Sequence, residues 1–525
     1  MIKLIVQSVV ELFLKIFIFL STQRVDKIRH KPTSYALDVL TSDQAIKGLL
    51  DAHPGQSGFY LLENNIDAFT ARCHLINQAQ QTLDLQYYSF HGDTSGKLIA
   101  QALIKAADRG VRVRVLLDDI DTLGADEAIR ILNAYPSIEI RIFNPFYFRG
   151  LLRYIEFIVD LSRVGRRMHN KVMIADNALA IVGGRNISDV YFSADPDLLF
   201  LDIDLLTLGD LVKSISISFD EYWNSPWSIP VAILYERPKR AYALNKIKAF
   251  LKKHQDEIKQ LDYVQMTQSS ALIENKSLSK LPFIWSKVQL FYDHPEKIAP
   301  DEGEETRLNI SQLKNRLHDV FAMAEDELTI ISPYFVPGEE GVKWFESLID
   351  NGIKVSVFTN SLAATDVTAV HAGYAAYRQS LLEAGVNLFE LKATAYVKDR
   401  KRFKILRPGS RTSLHAKTVI IDRCKVFMGS PNLDPRSTDL NTEIGLFIDN
   451  EELSNQLLTL FSDISSGQNS YRLLLKKNDT SNKSKIIWQS EEEGMLMQYT
   501  SEPEVGVLRR LKVYFFSLLP IEHLL

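Results

Sequence analysis

A nine-residue string that occurs twice constrains this chain more than any other feature. Each copy ends in the pattern His, any residue, Lys, four residues, Asp, and a glycine and then an asparagine follow at the same spacing. The repeated positions are His169, Lys171, Asp176, Gly183 and Asn186 in the first copy and His415, Lys417, Asp422, Gly429 and Asn432 in the second. Agreement at five fixed offsets indicates that one half of the chain duplicates the other.

The segments before the two strings repeat as well, because each half alternates helical and strand patterns in the same order. The first half predicts helices over 67–81, 97–109 and about 124–135 and strands over 83–90, 111–117 and 138–143. The second half predicts helices over 307–325, 339–350 and 371–384 and strands over 328–334, 353–358 and 386–391. This alternation predicts α/β layers around a largely parallel sheet. Two such halves packed face to face would join the strings on a pseudo-twofold axis.

The length of 525 residues predicts more than one domain. The predicted divisions are an N-terminal membrane-associating segment at 1–50, a first domain at 51–234, a connecting insertion at 235–285, a second domain at 286–470 and a tail at 471–525. The tail closes with basic, apolar and aromatic residues from Arg509 to Pro520, a composition that suits a membrane surface. A buried terminal helix is the alternative.

The first 20 residues are apolar but carry Lys3, Gln7, Glu11 and Lys15 on one stripe of a helix. A helix lying in the membrane interface would keep these groups near the headgroups, with Arg24 and the basic residues after it holding an anionic leaflet. A spanning signal anchor is the second reading, and a signal peptide or surface helix the third.

Charge and cysteine content exclude several classes of protein. The net charge of −4 gives the whole chain no attraction for a polyanion, so a nucleic-acid partner is not expected. Only Cys73 and Cys424 are present, which argues against a disulfide framework or a cysteine zinc site. No glycine-rich phosphate loop or calcium-binding loop occurs, and no cofactor is expected.

The doubled string has the composition of a phosphodiester-cleaving site. One neutral histidine can attack phosphorus while a protonated one gives its proton to the leaving oxygen. Lys171 and Lys417 would stabilise the charge on the other phosphate oxygens, with Asn186 and Asn432 as amide donors, so no metal is required. A lone His-x-Lys is usually structural, but two intact copies favour catalysis.

A histidine that acts on phosphorus needs an acceptor for its other ring nitrogen. We expect the halves to exchange these acceptors, so that Glu443 contacts His169 and Asp202 contacts His415. Asp204 competes with Asp202, and each acid could instead be an exposed strand charge. Asp176 and Asp422 complete the repeated catalytic set, although Asp176 is expected to serve the strand or the loop.

These residues resemble the phospholipase D superfamily, whose signature is a doubled His-x-Lys-x4-Asp-x6-Gly. Further stretches are similar to the bacterial C-type cardiolipin synthases, namely Leu85–Tyr88, Gly183–Asn186, Asn432–Ser437 and Leu440–Glu443. The resemblance implies two phospholipase D-like α-β-α domains related by a pseudo-twofold axis, with the active site at their interface. It also implies a phosphatidyl group held on His169 and passed to phosphatidylglycerol, giving cardiolipin, with His415 as general acid and then general base.

The resemblance further implies phospholipid substrates, with phosphatidylethanolamine or phosphatidylglycerol as donor, and a place on the cytoplasmic face of the bacterial inner membrane. An aromatic segment from Phe146 to Phe157 and basic residues from Lys398 to Arg411 could meet an anionic membrane surface. A core helix and a solvated loop are the alternatives. A hydrolase releasing phosphatidic acid, a nuclease and a non-catalytic membrane-binding protein stay open, as does the oligomeric state.

Overall fold

A computed structural model describes residues 44–235, 238–259, 278–299, 312–395, 410–478, 481–520 and 522–525. The predicted membrane-associating helix at 1–20 and the basic residues 398–407 lie outside these ranges. Within them, no helix is both long and apolar enough to cross a membrane.

The described elements alternate as the sequence predicts. The strands are β1 Ser57–Leu62, β2 Thr82–Tyr87, β3 Arg112–Asp118, β4 Ile138–Phe143, β5 Val172–Ala175, β6 Leu179–Gly183, β7 Leu198–Leu201, β8 Asp204–Gly209, β9 Ser228–Pro230, β10 Ile284–Ser286, β11 Val288–Tyr292, β12 Glu327–Ile331, β13 Lys354–Asn360, β14 Asn387–Leu391, β15 Arg411–Leu414, β16 Thr418–Ile421, β17 Lys425–Gly429, β18 Ile444–Asp449, β19 Ser470–Asn478, β20 Ser481–Glu492 and β21 Met495–Tyr499. The helices are α1 Gln44–Ala52, α2 Asn65–Gln78, α3 Thr94–Asp108, α4 Asp126–Asn133, α5 Arg153–Val159, α6 Leu161–Val164, α7 Asp210–Trp223, α8 Val231–Leu234, α9 Arg240–Lys259, α10 Gln312–Phe321, α11 Gly338–Asp350, α12 Thr368–Glu383, α13 Glu451–Ile464 and α14 Val507–Ser517.

Each half is built on its own large sheet. The first has the order β10-β1-β8-β6-β5-β2-β3-β4-β9, and the second has the order β11-β18-β17-β16-β12-β13-β14-β19-β20-β21. Within the described strands of these two sheets, only β2-β3-β4 and β12-β13-β14 run parallel, and their other neighbours are antiparallel. The prediction of a largely parallel sheet is therefore wrong. Each motif ends in a tight hairpin, which can only join antiparallel strands, as in the pairs β5-β6 and β16-β17.

The hairpin that follows each motif turns at the repeated aspartate. Asp176 and Asn177 have φ of 52° and 50°, and Asp422 and Arg423 have φ of 47° and 57°. Positive φ at both central residues of the four-residue turns 175–178 and 421–424 matches the right-handed twist of the flanking strands. Aspartate and asparagine tolerate this conformation better than most residues, so the repeated position suits the turn.

The two halves share one apolar core. A cluster of buried side chains contains Leu205, Ile215 and Trp223 from the first half together with Ile420 and Leu446 from the second. The halves also share a small parallel sheet, in which β7 of the first half pairs with β15 of the second. Separate clusters lie on the outer side of each sheet. The two halves therefore pack face to face, as the duplication predicts.

Some segments assigned to the insertion or the tail belong to the sheets. β10 pairs with β1 of the first sheet, whereas β11 pairs with β18 of the second. Beyond residue 470, β19 pairs with β14, so the chain adds three strands to the edge of the second sheet before it reaches α14. Residues 470–499 thus extend the second half.

Candidate active site

Each histidine lies just before its motif strand, at the end where the central parallel strands finish. The backbone N–H of Met168 donates to Oδ2 of Asp118 at 2.9 Å, and that of Leu414 donates to Oδ1 of Asn360 at 2.8 Å. Asp118 and Asn360 are the last residues of β3 and β13. The histidines and lysines themselves lie outside the motif strands, since β5 and β16 begin after them.

Backbone pairing across the two halves brings each histidine to an acid of the other half. The N–H of His169 donates to the carbonyl of Thr442 at 2.8 Å, and the N–H of His415 donates to the carbonyl of Leu201 at 2.7 Å. The residues after these two carbonyls are Glu443 and Asp202. The positions of the two acids are therefore fixed by main-chain contacts.

The two exchanged contacts that the sequence predicts are present. Nδ1 of His169 lies 3.0 and 2.9 Å from the two carboxylate oxygens of Glu443, and Nδ1 of His415 lies 2.6 Å from Oδ2 of Asp202. Asp204 instead forms ion pairs with Arg72 at 3.0 Å and with Arg185 at 3.1 Å. The choice left open between the two aspartates is therefore resolved in favour of Asp202.

The two acids are equivalent in the fold but are held differently. Gly183 of β6 pairs with Asp204 of β8, and Gly429 of β17 pairs with Gly445 of β18. Asp202 and Glu443 each lie two residues before the partner of the repeated glycine. The residue after Gly429 is Ser430, whose hydroxyl donates to Glu443. The residue after Gly183 is a second glycine, and a Cβ there would lie 2.2 Å from Oδ1 of Asp202. Among the described residues, a serine therefore supports the acid that contacts His169 but not the acid that contacts His415.

Both lysines fold back on the histidine of their own motif. Nζ of Lys171 donates to the carbonyl of His169 at 2.5 Å. Nζ of Lys417 donates to the carbonyl of His415 and lies 3.1 Å from its Nδ1. Burial lowers the pKa of Lys171 to about 7 and also lowers the pKa of Lys417, although Glu443 and Asp202 oppose the shift. The site thus holds two ammonium groups whose protons are unusually easy to remove.

Burial and the lysines keep both imidazoles neutral. Burial lowers the pKa of His169 to about 4, with Glu443 opposing and Lys171 adding to the shift. Burial, Lys417 and Lys171 lower the pKa of His415 well below its ordinary value. Although burial alone would raise it, His169 and Lys171 lower the pKa of Glu443 to about 2. At neutral pH the first pair is therefore a carboxylate beside a neutral ring, with Nδ1–H facing the carboxylate and Nε2 unprotonated.

The two asparagines that the sequence analysis groups together make different contacts. Nδ2 of Asn186 donates to the hydroxyl of Tyr191 at 3.0 Å, and that hydroxyl lies 3.3 Å from Nε2 of His415. The side-chain oxygen of Asn432 is buried without a hydrogen-bond partner in the described part of the chain. Asn186 thus reaches His415 through a tyrosine, while the amide of Asn432 keeps an unused acceptor.

The repeated aspartates lie at the far end of the motif strands from the histidines. Asp176 accepts hydrogen bonds from the N–H groups of residues 80, 81 and 82 at 2.7 to 2.9 Å. Asp422 accepts the equivalent three from residues 325, 326 and 327 at 2.8 to 2.9 Å. Each carboxylate therefore ties its hairpin to the start of the neighbouring strand. Grouping Asp176 and Asp422 with the catalytic residues is not supported by this geometry, whereas the expectation that Asp176 serves the strand agrees with it.

Four residues of the site were missed by the sequence reasoning. Asp118, Asn360, Ser430 and Tyr191 contact the motif only through the folded chain. Asp118 and Asn360 end strands at equivalent places, and Ser430 and Gly184 occupy one repeated offset. A closer alignment of the two halves would have signalled these three, but nothing in the repeat signals Tyr191.

The fold and the site define a class of protein in which two copies of one α/β domain each bring a histidine and a lysine to the interface between the halves. The sequence profile of the family described as "Cardiolipin synthase, PLD-like domain" matches residues 73–223 and again residues 317–465. The chain belongs to this family of the phospholipase D superfamily and is a phosphatidyltransferase that acts on phospholipids.

Named relatives agree with this placement. The chain is 40% identical to cardiolipin synthase C of Escherichia coli, over 92% of this chain and 99% of the relative. It is 26% identical to a cardiolipin synthase of Clostridium perfringens, over 76% of this chain and 70% of the relative. Among solved structures, phosphatidylserine synthase of Haemophilus influenzae superposes with a TM-score of 0.55 at 14% identity, over 91% of this chain and 100% of the other, which shows a shared fold.

Proposed function

We propose that the protein makes cardiolipin by transferring a phosphatidyl group to phosphatidylglycerol through a phosphohistidine intermediate. The donor is phosphatidylethanolamine or a second phosphatidylglycerol, and the reaction takes place at an anionic membrane surface on the cytoplasmic face of the bacterial inner membrane. The observation that carries the proposal is the pair of buried histidines, each fixed by a carboxylate of the opposite half. The likeness to named cardiolipin synthases supports the choice of substrates.

In the first step, Nε2 of His169 attacks the phosphorus of the donor lipid. The bond from phosphorus to the headgroup oxygen breaks, and His415 gives its proton to that oxygen, so the headgroup leaves as an alcohol. Glu443 accepts the Nδ1–H of His169 and stabilises the positive ring that forms. Lys171 and Lys417 stabilise the charge on the phosphate oxygens that do not react.

In the second step, His415 acts as a base. It takes the proton from a hydroxyl of phosphatidylglycerol while that oxygen attacks phosphorus, and the bond from phosphorus to His169 breaks. Cardiolipin and the free imidazole result, with every proton returned to its starting place. Water in place of the lipid alcohol would give phosphatidic acid instead.

The protonation of His415 depends on the substrate. Burial and the ammonium groups of Lys417 and Lys171 lower the pKa of His415, so the ring is neutral before the donor lipid binds. A bound phosphodiester brings a negative charge that offsets those ammonium groups, and it therefore raises the pKa of His415. The acid is thus formed when the donor lipid binds.

The test uses purified full-length protein in vesicles of phosphatidylglycerol, with and without phosphatidylethanolamine, with products resolved by mass spectrometry. We expect cardiolipin from the wild type and none from His169→Ala. Rapid acid-free quenching followed by peptide mass analysis should find a phosphatidyl adduct on the peptide that contains His169. Phosphatidic acid without cardiolipin would overturn the transferase assignment, and full activity of His169→Ala would overturn the site.

A further inference from the structure

Two short helical segments leave unusually large apolar side chains in solvent. The first is a turn at Gly150–Leu152 followed by α5, and the second is α14. Leu151 and Ile158 are 80% and 79% exposed, and Leu508 and Phe515 are 71% and 58% exposed. Single exposed apolar residues are common, but a contiguous group marks a contact surface. We name these two segments the α5 face and the α14 face.

The opposite side of each segment is fixed to the protein by arginine. Arg149 and Arg153 both pair with the buried carboxylate of Asp119, at 2.5 and 3.3 Å. In the second half, Arg509 donates to the backbone carbonyls of Ala363, at 3.3 Å, and Thr365. Since the polar sides are held inward, the apolar side chains cannot rotate into the core. Their exposure is therefore a property of the fold.

Both faces lie on the same side of the molecule as the histidines. Asp119 follows the last residue of β3, which holds the backbone next to His169. Ala363 and Thr365 lie in the loop after β13, whose last residue holds the backbone next to His415. Each half thus presents one apolar face next to the strand end whose last residue holds the backbone beside its histidine.

The charged side chains of α14 itself are all basic, whereas Asp366 in the neighbouring loop and Glu502 and Glu504 before the helix are acidic. Arg509, Arg510 and Lys512 fall within residues 505–520, which contain no acidic residue. Lys512 is exposed and lies beside Leu511 and Phe515 in an apolar groove of about 550 Å³ between α14 and the start of α12. Asp366, at the end of that groove, accepts a hydrogen bond from Tyr334 at 2.8 Å. Tyr334 corresponds in the repeat to Tyr88, whose ring lies 4.9 Å from that of His169.

We propose that the α5 face and the α14 face together seat the protein on an anionic lipid bilayer, one face on each side of the active-site entrance. Apolar side chains beside lysine and arginine suit the boundary between acyl chains and negative headgroups. One contact from each half orients the protein so that its pseudo-twofold axis points towards the membrane. A lipid phosphodiester can then reach both histidines while its acyl chains stay in the bilayer. The inference rests on the proposed function for its substrate, but it concerns binding and not turnover.

Hydrogen exchange of the full chain measures this contact directly. The protein carries His169→Ala, so that no lipid is converted, and it is measured with and without phosphatidylglycerol vesicles. We expect slower exchange at 150–159 and 507–517 in their presence, and a smaller effect with phosphatidylcholine vesicles or at high salt. Because exchange is read along the sequence, any membrane contact by residues 1–20 does not contribute to the signal at the two faces.

Paired substitutions then test the side chains by vesicle flotation. Leu151→Ser with Ile158→Ser, or Leu508→Ser with Phe515→Ser, should each weaken vesicle binding at least about tenfold. Lys512→Gln should weaken it about fivefold on anionic vesicles only. The matched control is Ile217→Ser with Met323→Ser, which are 59% and 42% exposed and lie in segments near the Asp176 and Asp422 turns, at the other end of the motif strands. It should bind as the wild type does.

Several results would overturn the inference. One is unchanged exchange at both faces when vesicles bind, and another is an equal loss in the control pair. Protection that needs no vesicles and rises with protein concentration would mean that a second copy of the chain covers the faces. Protection at both faces without any cardiolipin from wild-type protein would instead leave the docking surface intact and refute the proposed function.

Discussion

The exchange of acids between the halves makes Glu443→Gln the most informative substitution. Glutamine keeps the size of the side chain and can still accept the Nδ1–H of His169, but it removes the negative charge. The transferase mechanism places a positive charge on the His169 ring when its Nε2 bonds to phosphorus. The carboxylate therefore stabilises the transition state more than the ground state, in which the ring is neutral.

The size of the effect follows from the geometry. The carboxylate oxygens lie 2.9 and 3.0 Å from Nδ1, and unit charges about 3 Å apart attract by about 5 kcal/mol at an effective dielectric constant of about 20. The dipole of the new amide recovers about half of this, which leaves a loss of about 3 kcal/mol, or about two orders of magnitude in kcat. Ser430→Ala removes one hydrogen bond to the same carboxylate and should cost about 1 kcal/mol, or about fivefold.

The assay is the initial rate of cardiolipin formation in mixed vesicles at saturating lipid, with thermal unfolding measured on the same samples. The matched control is Glu390→Gln, since Glu390 is also fully buried and pairs with Arg378, which contacts neither His169 nor His415. It should lower stability and leave kcat within about twofold. A folded Glu443→Gln protein that keeps more than a third of the wild-type kcat would refute the role given to this carboxylate.

Three further predictions follow from the same geometry. The value of kcat/KM should fall below about pH 4, because the reactive form of His169 is the unprotonated ring. It should also fall above about pH 7, because Lys171 then loses the charge that binds phosphate. A flat profile from about pH 6 to 9 would contradict this. Asp176→Ala removes the acceptor of three backbone N–H groups and should lower the free energy of unfolding by about 3 kcal/mol with kcat within about twofold; a tenfold loss of kcat in folded protein would restore Asp176 to the catalytic set. Gly183→Ala puts a Cβ 2.6 Å from the carbonyl oxygen of Ile203 and should lower the free energy of unfolding by about 3 kcal/mol. Gly92→Ala, with open space around it, should lower it by less than about 1 kcal/mol. Equal stability of the two variants would contradict the close approach.

Much of the site could be predicted because the duplication is written into the spacing of the residues. A repeated His-x-Lys implies symmetry, and symmetry implies that the acids are exchanged, which is why the contacts of His169 with Glu443 and of His415 with Asp202 could be anticipated. The strand order could not, since the local patterns of β2 and β5 do not state that these strands pair antiparallel. Pairing partners are fixed by the folded chain and not by the periodicity of either segment.

The role of Asp176 shows a second limit. An aspartate at a repeated position suggests chemistry, yet the same repeat arises when both halves need the same turn and the same strand-end contacts. The C-terminal tail shows a third limit of prediction from the sequence, since basic and aromatic residues at helical spacing are compatible with either a buried or an exposed helix. Only the inward contacts of Arg509 decide that α14 presents its apolar side to solvent.

The crossed contacts between histidine and acid have a consequence for the origin of the chain. A half on its own would hold a histidine without its carboxylate and a carboxylate without its histidine, so two identical halves complete both contacts only as a symmetric pair. Fusion into one chain removed the requirement that both copies be identical. Ser430 beside Glu443, and Gly184 beside Asp202, record the divergence that followed. Joining the copies thus allowed two equal imidazoles to become different ones.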